Sequence, residues 1–95
     1  MIYGVVLLEA HAKRHPTTRK TIATWIERVG GVSPKNFPEL KRAFSGVDLL
    51  DGSRCCFDIG GNKARVIALV VFAAGTLTVE KVMTHEEYDR WNKTR

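Results

Sequence analysis

The sequence predicts an α+β fold, with N-terminal helices packed on an antiparallel sheet and a short C-terminal helix. Three observations predict it. Ile22, Trp25, Ile26 and Val29 recur at spacings of three and four, the apolar stripe of a helix. Arg54 to Ile59 alternates in the period of a strand, and an apolar run follows it. Thr84-His85-Glu86-Glu87 has the form of a capping box that opens a final helix. A chain of 95 residues has room for a single domain, 1–95, and one modest core.

Taken in order, Met1 to Val6 reads as a short strand running into a helix from about Leu7 to Arg14, since β-branched valine suits a strand better. His15-Pro16 ends that helix, because proline disfavours helical geometry in the residue before it. Pro16 can sit in the first turn of the next helix, with Thr17 and Thr18 nearby as capping groups. Gly30-Gly31 closes the second helix as a left-handed cap would. A short helix follows from about Pro38 to Phe44, with Phe37, Leu40 and Phe44 on one side. The second half reads as three antiparallel strands. In the first, Cys55, Phe57 and Ile59 face one way and Arg54, Cys56 and Asp58 the other. Gly60-Gly61-Asn62 tolerates the positive φ that a hairpin turn needs. Arg65 to Phe72 is apolar on both faces after its first residue, which makes it the central strand. Ala74-Gly75 closes a second hairpin into Leu77–Met83, and the last helix runs to about Trp91.

The balance of 44% hydrophobic and 26% charged residues is that of a globular domain, and no linker or repeat divides it. A net charge of +5 points to a polyanionic partner: nucleic acid, an anionic membrane or an acidic protein. No basic helix with a large apolar face is present, and no apolar stretch approaches the ~20 residues that span a bilayer, so no membrane partner is expected. The N-terminus lacks the basic segment of a signal peptide, and a cytoplasmic location is expected. Cys55 and Cys56 point to opposite faces of a strand, where a bond between them would be strained; they read as two reduced, half-buried thiols. His11 and His15 have the spacing of two zinc ligands, but no third ligand accompanies them and Pro16 disturbs the turn, so no metal site is expected. No phosphate-binding glycine loop occurs. No cofactor, metal or small molecule, is expected.

Two segments carry more information than a turn and a helix start. These are Phe57-Asp58-Ile59-Gly60-Gly61-Asn62-Lys63-Ala64-Arg65-Val66 and Met83-Thr84-His85-Glu86-Glu87-Tyr88-Asp89. Together, in this order and at this chain length, they resemble the HigB family of toxins, and His15-Pro16 ahead of the Trp25 helix fits as well. The likeness runs over nearly the whole chain and is strongest in the second half. Two departures are visible: Gly30 to Phe37 lacks a tryptophan, and Ala64 stands where the family often has a large aromatic residue. The resemblance implies the RelE-like fold and an endoribonuclease (an mRNA interferase) acting on mRNA on the ribosome. It also implies neutralisation by a HigA-like helix-turn-helix antitoxin.

Metal-free RNA cleavage uses the substrate's own 2′-hydroxyl as nucleophile. The protein must accept its proton, stabilise the charge gathering on phosphorus and protonate the leaving 5′ oxygen. Arg65, opening an otherwise apolar strand, is the first candidate, since its planar fork matches phosphate oxygens. From position alone it reads equally as a rim arginine paired with Asp58. A two-residue turn at Ala74-Gly75 would set Arg65 opposite Thr84, which brings His85 near the guanidinium. As an imidazole, His85 can serve as acid or base near neutral pH, or is simply a surface helix residue. Tyr88, three residues on, can stack on a base and donate to phosphate, or pack on the sheet. Lys63, Asn62, Lys81 and Arg54 complete the candidates as phosphate-binding groups. Asn62 reads first as a turn residue, and Lys81 falls on the opposite face in that register unless a bulge at Gly75 reverses it. Lys13, Arg14, Arg19, Lys20, Lys41 and Arg42 form solvated helix faces or a ribosomal RNA contact surface. Two other functions fit the same charge and fold: a non-catalytic basic nucleic-acid- or protein-binding module, and a gyrase-targeting toxin.

Overall fold

The computed structural model of the protein describes residues 1–61 and 63–94. Strand β1 (Ile2–Tyr3) leads into α1 (Val5–Arg14), a 3-10 turn (Pro16–Thr18), α2 (Arg19–Gly30) and α3 (Phe37–Ala43). Strands β2 (Val47–Asp51), β3 (Arg54–Ile59), β4 (Ala64–Val71) and β5 (Thr76–Met83) follow, and α4 (His85–Lys93) closes the order. The sheet has the order β1-β5-β4-β3-β2. All its pairs are antiparallel except β1 with β5, so it is mixed rather than wholly antiparallel. β4 is central, as its two apolar faces require.

Two cores lie on opposite faces of this sheet. The larger joins Leu8 of α1, Ile22 and Trp25 of α2 and Leu40 of α3 to Phe57, Val66, Ala68 and Val79 of the strands. At its centre Phe57 meets Trp25 and Phe44 edge-on, at centroid distances of 5.1 and 5.6 Å. The smaller joins Cys56, Ile67 and Met83 to Leu50, Tyr88 and Trp91. The adjacent cysteines therefore serve different cores, and both thiols are reduced and buried. Burial pushes the Cys55 thiol up to about 11 and raises that of Cys56 as well.

Several local expectations are corrected. Val5 and Val6 belong to α1, because Gly4 makes the turn with φ +81° and lies so close to β5 that a Cβ there would sit 2.6 Å from the Val79 carbonyl oxygen. Neither Thr17 nor Thr18 caps α2; the Thr18 hydroxyl donates to the His15 carbonyl instead. Gly31 ends α2 with φ −94°, in a right-handed conformation. Strand β2 was not expected: Leu49 and Leu50 break the alternation that would mark it. The turn between β4 and β5 spans four residues, from Val71 paired with Thr76, and not two. Together with a one-residue bulge further along β5, this sets Arg65 opposite Met83 rather than Thr84.

The register then shifts within β5. Ala68 pairs with Val79 but Ile67 with Lys81, so Glu80 is an extra residue, a β-bulge. The bulge moves Lys81 to the face of Arg65 and Ile67, opposite to the expected face; the device lies at Glu80, not at Gly75.

His11 is wholly buried, and neither ring nitrogen has a hydrogen-bond partner among the described residues. Burial, then the charges of His15 and Arg14, push its imidazole below the ordinary 6.5, against an opposing pull from Glu87. A histidine whose folded value lies below its unfolded one contributes stability above pH 6.5 and loses it as pH falls through that value. The melting temperature is expected to drop from about pH 7.5 to about pH 5.5, and His11→Leu to flatten that slope. An equally steep slope in the variant would exclude His11 as its source.

Candidate active site

The functional side chains converge where β4 begins and α4 starts. Thr84 caps α4: its hydroxyl accepts from the Glu87 backbone N–H at 3.1 Å, while the Glu87 carboxylate accepts from the Thr84 backbone N–H at 2.8 Å. That second bond, foremost, holds the Glu87 carboxyl below its ordinary range. The box fixes the direction in which α4 leaves β5, and with it the placement of His85 and Tyr88 on the helix face toward the sheet.

Arg65 is the hub. Its side chain is only 16% exposed, and its Nη2 lies 3.4 Å from His85 Nδ1 and 3.9 Å from Asp58 Oδ2. The guanidinium carbon stands 4.9 Å from the centre of the Tyr88 ring. On the far side of the imidazole, His85 Nε2 lies 3.5 Å from Asp89 Oδ2, one helical turn along. This fixes a tautomer by elimination. A guanidinium only donates, so Nδ1 facing it must accept, and Nε2 carries the proton directed at Asp89. The imidazole thus stands between a cation and a carboxylate, half-exposed at the rim. Beneath it the Cys56 thiol, whose raised value reflects burial first, touches Tyr88 and Arg65.

The remaining candidates are spread more widely. Lys63 is exposed in the connection before β4, and Asn62 lies outside the described residues. Lys81 is exposed on the Arg65 face, beside Arg54, Ile67, Glu80 and Trp91 along a shallow cleft. Arg54 shares that face but is held by carboxylates, with Nε 2.7 Å from Glu80 and Nη1 3.3 Å from Asp51. Its charge is thereby compensated, and Glu80 raises its affinity for protons. Sequence reasoning missed Asp89 as the partner of His85 and Cys56 as the floor of the cluster. The spacing of four from His85 to Asp89 on one helix was a usable signal; the position of Cys56 appears only once α4 covers the sheet.

Residues 18–91 match the model of a family described as HigB_toxin, the RelE-like toxic component of a toxin-antitoxin system. The chain belongs to this HigB family. It is 31% identical over 85 residues to the mRNA interferase toxin HigB of Escherichia coli strain K12, an alignment covering 86% of this chain and 81% of that one. The mRNA interferase HigB proteins of Escherichia coli O157:H7 and Shigella flexneri match with the same identity and coverage. The HigB match takes in every candidate residue named above, from Arg54 to Tyr88. Its α+β architecture, with three helices on one sheet face and α4 on the other, is that of the RelE-like class. No helix among the described residues is long and apolar enough to cross a membrane.

Proposed function

We propose that the chain is an mRNA interferase, an endoribonuclease toxin acting in the cytoplasm on messenger RNA held by the ribosome and neutralised by a HigA-like helix-turn-helix antitoxin. The convergence of Arg65, His85 and Tyr88 at one rim of the sheet is the observation that carries this reading. The substrate's 2′-hydroxyl attacks the adjacent phosphorus, forming the 2′ O–P bond as the P–O5′ bond breaks. His85 Nδ1 accepts the hydroxyl proton, and Asp89 stabilises the imidazolium that results. Arg65 turns its fork to the phosphate oxygens as negative charge gathers there. The Tyr88 hydroxyl protonates the departing 5′ oxygen. The products are a 2′,3′-cyclic phosphate and a 5′-hydroxyl, and no metal takes part.

Purified protein added to ribosomes translating a defined message is expected to produce new 5′-hydroxyl ends, in chelator as without it. The same message free of ribosomes is cut more slowly, and the antitoxin suppresses both. Intact messages at high protein concentration would overturn the ribonuclease reading and leave a basic binding module.

A further inference from the structure

We infer that the groove between α2, α3 and the end of β3 binds the phosphate backbone of the substrate RNA as it runs into the site. The inference rests on the ribonuclease reading above. Lys20, Arg28 and Arg42 supply three exposed cations to the walls of this groove. Lys20 and Arg42 pair with no carboxylate among the described residues. Arg28 is held in place without losing its charge: it lies 4.7 Å from the centre of the Phe44 ring and donates to the Ala43 carbonyl. Trp25 lines the same groove, is 4% exposed, and its indole N–H finds no acceptor among the described residues. A buried donor without a partner costs free energy that an incoming acceptor would recover.

The partner must therefore be anionic and rich in acceptor oxygens. Continuity with the catalytic rim selects the RNA strand itself. Asp58 is the only carboxylate residue among the described residues that line the groove, and its Oδ2 lies 3.9 Å from Arg65. One residue of β3 thus borders both places, and its charge is already matched on the catalytic side. A chain with a charge at every nucleotide can occupy the rim and the groove at once. Such contacts position the strand and carry no base preference.

The test is binding by a chain silenced with His85→Ala, using labelled oligoribonucleotides of roughly 4 and roughly 12 nucleotides over a range of salt. Adding Lys20→Gln and Arg42→Gln is expected to weaken the longer strand about tenfold at low salt and to flatten its log–log salt slope by about 1.4. Affinity for the short strand, which reaches only the rim, stays unchanged. Arg28→Gln, checked for an unaltered circular dichroism spectrum, is expected to do the same with about half the change in slope. Unchanged affinity and slope for the longer strand, or equal losses on both lengths, would overturn the inference. So would a loss confined to an acidic protein partner. Because nothing is cleaved in this assay, its failure leaves the ribonuclease reading standing, and a parent chain that never cuts RNA would sink that reading without altering these affinities.

Discussion

Replacing Arg65 by alanine is expected to slow RNA cleavage about 10²–10³-fold, the range seen when one fixed donor to a developing oxyanion is removed. The Arg65 Nη2 lies 3.4 Å from His85 Nδ1 and 3.9 Å from Asp58 Oδ2. Single-turnover cleavage at saturating protein measures the effect on the chemical step. Arg65→Lys keeps the charge but loses the fork, and an intermediate rate is expected for it. Loss of the guanidinium also removes the donor that faces His85 Nδ1 at 3.4 Å. A folded Arg65→Ala protein that cuts as fast as its parent would remove the guanidinium from the mechanism.

The largest effect on stability is expected from Phe57→Ala. Phe57 is 1% exposed and touches aromatic rings from α2 and from the residue that ends α3. Truncating a buried phenylalanine costs about 3–5 kcal/mol, transfer and cavity together. A domain of this size has about 5–14 kcal/mol in all, so about a fifth or more is lost. The melting temperature is expected to fall by about 12 °C or more, followed by calorimetry. A fall of only a few degrees would mean that α2 and α3 collapse into the space. Leu49, at 52% exposure on the edge strand, is the natural control.

How much of this was legible in the sequence depended on whether the signal was local. The capping box at Thr84 and Glu87, the stripe of α2 and the alternation of β3 are each decided within a few residues, and the structure has them where the pattern put them. The start of α1 was misread because β-propensity in Val5 and Val6 gave way to the turn at Gly4. The short strand at the start was read and stands as β1, but its parallel pairing with β5, more than seventy residues away in the chain, is announced by no local pattern. At the rim, motif order was enough to bring Arg65, His85 and Tyr88 forward together. The carboxylates that hold Arg54 come from two other strand positions, and the face of Lys81 depends on one unpaired residue, so both were out of reach of spacing arguments.

That unpaired residue gives β5 one residue of slack. Removing Glu80 would bring Lys81 directly after Val79 and abolish the bulge, yet Lys81 would still lie opposite Ile67 and Met83 opposite Arg65. The last helix would therefore set out from the same side of the pleat, and the loss would fall on Arg54, which Glu80 holds at 2.7 Å. A codon lost here is absorbed by the strand, much as one lost from the exposed stretch between α2 and α3 is absorbed by the loop.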